Sequence, residues 1–405
     1  MTVKGRELQI PTIRYNNQIK FVPKLGGWDL SDPDTRLLSA GKAIHSGQHP
    51  LTCYFININN DIRQHEFRQM EGAVEALLDQ MKNDAGSQLL GVDSETGSPK
   101  VNFKTIEGPL PSVLDKARKE FKDKSPKYMP KFCLIILPSM RSNANKVYSL
   151  FKRLGDVEYG FHTVCLTKSN LLMTGRGKMM TLRANLALKF NIKAKGLNHQ
   201  VSKVTPKGNL ASLIDSATMI AGYDVIHPTG GSQPQEKRSD KDDNSPPSFV
   251  GLVASVSQDL NQWPAIAWEN PSRQEVLRPH ELSDKFGSRL DIWREKHQGN
   301  LPTRIIIYRD GVSEGQYNEV LQTEVTAIQH ACHTKAKNLN QKSPKILFII
   351  ATKRHRTRFY RKLDKEDATN PPNGLVVDNG VTVSRHWDFF LQPHTTRPGK
   401  KTWRF

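Results

Sequence analysis

Short β-branched apolar runs alternate with segments of helical period along this chain, and that alternation limits the fold more than any other feature. Phe132–Leu137 (FCLIIL) is a buried strand by length and branching. Asn143–Gly155 follows with Val147, Leu150, Phe151 and Leu154 on one helical face. Phe161–Leu166 is a second strand and Met179–Phe190 a second helix, so this stretch predicts a βαβα unit with a parallel sheet. Upstream, Leu51–Asn57 reads as a short strand, residues 61–82 as a helix, residues 83–111 as loops or an insertion because of their Gly and Pro content, and Pro111–Lys122 as a helix.

A second unit is expected after Asn198. Ser216–Asp224, Phe249–Val256 and Trp263–Trp268 read as strands. The polar stretch 230–248 between the first two reads as a solvated loop. A helix over Glu281–Glu295, the strand Arg304–Tyr308 (RIIIY), a helix over Tyr317–Ala336 and the strand Lys345–Ala351 (KILFIIA) complete a mixed sheet with helices packed on it. The fold class is therefore α/β in two units, and residues 1–45, with Pro11, Pro23, Gly26, Gly27 and Pro33, form a connecting arm.

Composition narrows the function. Lys and Arg number 59 against 40 Asp and Glu, a formal charge of +19, which favours a polyanionic partner and nucleic acid first. A hydrophobic fraction of 37% supports globular cores. No apolar run approaches the ~20 residues a membrane helix needs, so no membrane partner is expected. Cys53, Cys133, Cys165 and Cys332 stand far apart without a CxxC pair. They argue against a zinc cluster or disulfide framework and for a reducing, cytoplasmic setting.

Three constellations carry chemistry. Tyr148 and Lys152 stand at i and i+4 on one helix, and Lys189 and Lys193 repeat that spacing later. Lysine binds phosphate as a point charge and a tyrosine ring lets a base stack, although such lysine pairs are ordinarily solvated faces. Asp224 (GYDVIHP) and Asp310 (RIIIYRDG) end apolar strands, where open α/β sheets place their sites, although Asp before Gly is also a common turn. Two carboxylates converging there suit a hard divalent cation, Mg²⁺ or Mn²⁺. A third is needed, and periodicity does not choose among Glu269, Glu275 and Glu281. Finally, KRHRTRFYRK (353–362) places Lys353, Arg354, His355, Arg356, Arg358, Arg361 and Lys362 around Phe359 and Tyr360, a phosphate-backbone signature.

Taken together these residues resemble the eukaryotic Argonautes. RIIIYRDGVSEGQYNEVL (304–321), AGYDVIHP (221–228), FVGLVASVS (249–257), KRHRTRFY (353–360) and GLVVDNGVTVSRHWDFFLQPHTT (374–396) are similar to the PIWI domain in order. FCLIILP, VYSLFKRLGD and LALKFNIKAKG are similar to the MID domain, and GRELQIPTIRYNN to the linker before it. The resemblance implies a linker (1–45), a Rossmann-like MID domain (46–198) that binds a guide 5′ end, and an RNase H-like PIWI domain (199–405) that is C-terminally incomplete.

It also implies roles. Tyr148 stacks on the first base, and Lys152, Lys189 and Lys193 surround the 5′ phosphate. The family's glutamine in the next strand is not matched, since Thr163, Val164 and Cys165 stand there, and the Thr163 hydroxyl is expected to contribute instead. The Ser139–Asn145 loop senses the first base. Asp224 and Asp310 are the metal aspartates, and Glu275 is the glutamate on a mobile loop that completes the catalytic set. Lys353, Arg354, His355 and Arg358 hold the guide backbone. The family's fourth metal ligand has no match, with His386, Asp388 and His394 lying before its expected position.

The implied partners are a small guide RNA with a 5′ phosphate and a complementary target RNA, and the implied activity is Mg²⁺-dependent (or Mn²⁺-dependent) endoribonuclease action in RNA interference. A guide-binding module that silences without cutting is the alternative. A guide-free RNase H-type nuclease is disfavoured because it leaves the lysine pocket unexplained.

Overall fold

The structure is a computed structural model that describes residues 2–15, 20–21, 51–85, 101–172, 176–201, 217–228, 246–257, 260–353, 355–362, 368–383, 387–393 and 403–404. Most of the arm 1–45, most of the polar stretch 230–248, Arg354, His386 and His394 lie outside these residues. The chain divides into two compact units, Ile13–Phe21 with Trp28–Val201, and Ser202–Phe405 with Met1–Thr12 and Val22–Gly27.

The first unit is built on four parallel strands: β1 (Leu51–Ile58), β2 (Val101–Gly108), β3 (Phe132–Leu137) and β4 (His162–Thr167), in the order β2-β1-β3-β4. Every residue of β1 and β3 is buried, as expected for central parallel strands covered on both faces. Helices α1 (Gln64–Ala85), α2 (Leu110–Lys122), α3 (Arg141–Arg153) and α4 (Arg176–Lys193) supply the cover. Leu186 and Phe190 of α4 join α1 residues such as Val74 and Leu78 in one core. Val147 and Phe151 of α3 join Val113 and Phe121 of α2 in the other.

Two expectations need correction here. Residues 101–108, assigned to a loop or insertion, form β2. Its alternation (VNFKTIEG) is half-exposed because it is an edge strand, so it lacks the continuous apolar run of its neighbours. The expected base-sensing loop Ser139–Asn145 is largely the first turns of α3, with only Ser139 and Met140 ahead of it.

The second unit has strands β5 (Thr218–Ile226), β6 (Ser248–Ala254), β7 (Ala265–Asn270), β8 (Arg304–Asp310) and β9 (Lys345–Ala351) in the order β7-β6-β5-β8-β9. The first two pairings are antiparallel and the last two parallel. Helices α5 (Pro279–Lys296) and α6 (Thr326–Asn338) pack on one face. Phe286, Leu290 and Trp293 meet Ile328 and Cys332 over Met219, Ala221, Tyr223, Ile305 and Ile307. The period-2 alternation of the strands sends Gly222, Asp224, Tyr308 and Asp310 to the opposite face.

Candidate functional site

The carboxylates of the second unit meet at one end of its sheet. Parallel pairing sets Arg309 beside Tyr223, so the following residues, Asp310 and Asp224, leave neighbouring strands together. Both line an open cavity of about 380 Å³ floored by Gly222, Gly251, Val253 and Tyr308. β5 runs on to Ile226, so Asp224 lies inside the strand rather than at its end.

Glu275 joins them from the segment between β7 and α5. Gly311, at φ +91°, marks the junction: a Cβ there would lie 2.8 Å from Glu275 Oε1 and 3.4 Å from Asp224 Oδ1. Only glycine gives both that backbone angle and room for two carboxylate oxygens.

The Glu275 segment, which the resemblance makes a mobile loop, is hydrogen-bonded to its surroundings in this structure. Asn270 Nδ2 donates to Gln274 O at 2.8 Å and to Val276 O at 3.5 Å. The Arg273 amide donates to Ser248 Oγ at 2.9 Å. His227 Nε2 lies 3.0 Å from Glu275 Oε2, and Arg309 Nη1 donates to Glu275 Oε1 at 2.8 Å. Arg309 Nη2 donates to Glu275 O at 2.8 Å, and the Leu277 amide donates to Glu324 Oε1 at 2.9 Å.

Arg309 is fully buried. Burial alone would lower its pKa, but its bonds and proximity to Glu324 outweigh that and the net direction is up. The neighbouring Tyr223 hydroxyl is pushed up by burial and then by Glu324.

Asp224 and Asp310 offer hard oxygen donors around one cavity, which fits a Mg²⁺ or Mn²⁺ ion held by two carboxylates. The Lys353 ammonium pairs with Asp310 and so stands there as a cation already. Among the described residues no group of three His, Cys, Asp or Glu side chains is arranged to hold a metal.

The rest of the basic run is dispersed. His355 is buried with its ring edge-on to Phe390 at 5.3 Å, and Arg358 Nη1 donates to the His355 and Thr357 carbonyls. Arg356, Arg358 and Arg361 are exposed.

In the first unit the lysines gather at the sheet edge formed by β4. Lys152 Nζ donates to Thr163 O at 3.3 Å and lies 5.7 Å from the centre of the exposed Tyr148 ring. Lys193 is half-buried and lies in the field of the Lys152 ammonium. Burial and then that ammonium lower its pKa, with Asp156 opposing.

Cys165 lies in the field of Lys152, Lys193 and Lys189. Burial nevertheless pushes its thiol up to about 11. Since α3 and α4 cover opposite faces of the sheet, Lys152 and Lys193 reach the edge from two sides. Thr163 is fully buried, with its hydroxyl unpartnered and its methyl under Gly155, so its approach to the pocket is through its carbonyl.

The sequence reading did not single out Tyr223, His227, Arg309 or Glu324. Arg309 carried a signal, since alternation along RIIIYRD puts a guanidinium on the same face as Ile305 and Ile307.

The comparisons with known proteins fit both units. A family model of the Piwi domain matches residues 132–402. The chain belongs to the Piwi-domain family. Within it, the chain corresponds to the MID and PIWI domains of a eukaryotic Argonaute, a Rossmann-like unit followed by an RNase H-like one.

It is 27% identical over 405 residues to the Argonaute protein of Schizosaccharomyces pombe, covering 98% of this chain and 43% of that protein. The crystal structure of Kluyveromyces polysporus Argonaute with a guide RNA superposes with a TM-score of 0.71 at 22% identity, over 100% of this chain and 44% of that one. The MID–PIWI domains of N. crassa QDE-2 superpose at 0.52 and 25% identity, over 78% of this chain and 75% of that one. The chain spans less than half the length of the curated relatives it matches. Among the described residues no helix is long and apolar enough to cross a membrane.

Proposed function

We propose that the chain binds a small guide RNA by its 5′ phosphate and directs silencing of a complementary target RNA in the cytoplasm. On this reading 1–45 is the linker, 46–198 the MID domain and 199–405 the PIWI domain. The observation that carries it is the gathering of Tyr148 and Lys152 at the edge of β4, where Lys152 Nζ donates to Thr163 O at 3.3 Å and lies 5.7 Å from the Tyr148 ring, with Lys193 in the field of the same ammonium. Two half-buried like charges repel, and a phosphate between them replaces that repulsion with charge-assisted hydrogen bonds. Lys189 adds charge, and Tyr148 offers its exposed ring to the first base. The membership of the Argonaute family and a structural relative crystallised with guide RNA support the assignment.

The same reading gives Asp224, Asp310 and Glu275 the cleavage of the target. Asp224 and Asp310 would hold the divalent ion, Mg²⁺ or Mn²⁺, which when bound supplies an activated water and stabilises the leaving oxygen. Glu275, fixed by Arg309 and His227, presents its carboxylate beside Asp224. Lys353 and the exposed Arg356, Arg358 and Arg361 contribute positive charge for RNA phosphates.

The alternative is guide binding without slicing, and the Lys353 ammonium already paired with Asp310 favours it. The test is competition between 5′-phosphorylated and 5′-hydroxyl RNA for the 405-residue chain. Preference for the phosphorylated strand is expected, and equal binding refutes the assignment. Cleavage of a guide-matched target that stops with a chelator distinguishes slicing from its alternative.

A further inference from the structure

Glu324 is fully buried. It lies in a π-helical turn, Leu321–Val325, directly ahead of α6. Its carboxylate collects four donors: Tyr223 Oη at 2.7 Å, Arg309 Nε at 3.0 Å, Arg309 Nη2 at 3.2 Å and the Leu277 amide at 2.9 Å. Tyr223 precedes Asp224, Arg309 precedes Asp310, and Leu277 is two residues from Glu275. One carboxylate behind the sheet therefore touches a near neighbour of each of the three carboxylates in front of it.

Arg309 transmits the constraint. Its five N–H groups are all engaged, two by Glu324 and the others by Glu275 Oε1, Glu275 O and Asp310 O. Removing Glu324 leaves a buried guanidinium with Glu275 as its one carboxylate partner in this network, and it would pull that carboxylate off the cavity. A π turn inserted in a helix is a frequent device at functional sites. Here it puts residue 324 beneath the sheet.

We infer that Glu324 is the positioning residue of the divalent-cation site, setting the spacing of Asp224, Asp310 and Glu275 without touching the ion. The inference rests on the proposal that Asp224 and Asp310 take a divalent cation with Glu275 beside them. It assigns that site a determinant on the far face of the sheet.

The test is Mn²⁺ binding by the 405-residue chain, read by electron paramagnetic resonance and calorimetry well below the melting transition, with circular dichroism as the fold control. Glu324→Gln keeps the shape, removes the charge and turns one acceptor into a donor. It is expected to weaken Mn²⁺ binding about tenfold while the chain stays folded. Asp224→Asn, altered in the site itself, is the reference.

If Asp224→Asn weakens binding and Glu324→Gln does not, the role given to Glu324 is overturned and the site stands. If Asp224→Asn binds as tightly as the parent, the site reading falls and this inference with it. Should Glu324→Gln fail to fold, Tyr223→Phe removes one donor to the same carboxylate at equal volume. About threefold weaker Mn²⁺ binding is then expected, and unchanged affinity overturns the inference.

Discussion

The ammonium of Lys353 lies against the Asp310 carboxylate at the mouth of the cavity that Asp310 shares with Asp224. An internal cation thus stands where a metal would bind, and the two compete. The pair is partly exposed, so its strength belongs to the range of about 0.2–1 kcal/mol. Lys353→Ala is therefore expected to tighten Mn²⁺ binding in the RNA-free chain by up to about fivefold, measured by calorimetry at low salt. Weaker binding in the variant would mean that Lys353 supports the site rather than competing for it.

The lysine pocket gives a second expectation. Lys152 donates to the Thr163 carbonyl and acts on Lys193, and a phosphate oxygen there can accept a further hydrogen bond from its ammonium. Lys152→Ala should cost about 1.5–3 kcal/mol of affinity for 5′-phosphorylated RNA, the worth of a charge-assisted hydrogen bond. A 5′-hydroxyl strand should lose much less. Fluorescence anisotropy with both strands decides it, and equal losses remove Lys152 from the pocket.

Lys193 predicts a pH dependence. Burial first, then Lys152, holds its pKa below the ordinary lysine value of 10.5. A bound phosphate favours the ammonium, so binding draws in a proton wherever free Lys193 has lost one. Affinity is therefore level below the lowered pKa and falls as pH rises through it, at a lower pH than an ordinary lysine would allow. For folding the sign is opposite. Between the lowered value and 10.5 the unfolded chain holds more protons, so stability rises with pH across that window. Lys193→Arg, which stays charged, should flatten the alkaline fall in affinity. An unchanged profile would assign that fall to another group.

Much of this is legible because the two aspartates interrupt apolar strands, although Asp224 lies inside its strand and only Asp310 ends one. Asp224 and Asp310 stand out in GYDV and YRDG, and sheet pairing makes them neighbours as the sequence pattern predicts. Glu275 required the family resemblance, since a glutamate between two elements carries no periodicity. β2 was missed because an edge strand alternates weakly and lies among glycines and prolines. Glu324 was missed because a charged residue in a helical stretch normally faces water. Only the π turn and the arrival of Arg309 explain its burial. The basic run 353–362 is less uniform in space than in sequence. Its composition is uniform, but Lys353 pairs with Asp310, His355 is buried and Arg358 bonds to carbonyls of its own loop.

Gly311 offers a test of the carboxylate cluster through the backbone. Alanine at φ +91° is strained, at a cost of about 1–3 kcal/mol, and its methyl would meet Glu275 Oε1 at 2.8 Å. Gly311→Ala should lower the denaturant midpoint accordingly and weaken Mn²⁺ binding as Glu275 is displaced. Lower stability with intact Mn²⁺ affinity would show that Glu275 does not bear on the cation.

Thr163 separates two ways of contributing to the pocket. Its hydroxyl is buried without a partner and its methyl packs under Gly155, whereas its carbonyl accepts from Lys152. A direct role for the hydroxyl predicts that Thr163→Val weakens 5′-phosphate binding. The geometry predicts that it does not, because valine keeps the shape and the carbonyl. Removing an unsatisfied buried hydroxyl relieves a desolvation cost of about 1–3 kcal/mol, so the variant should match or exceed the parent in a denaturant melt. Reduced affinity for 5′-phosphorylated RNA, with 5′-hydroxyl RNA unaffected, would instead show the Thr163 side chain turning toward the phosphate on binding.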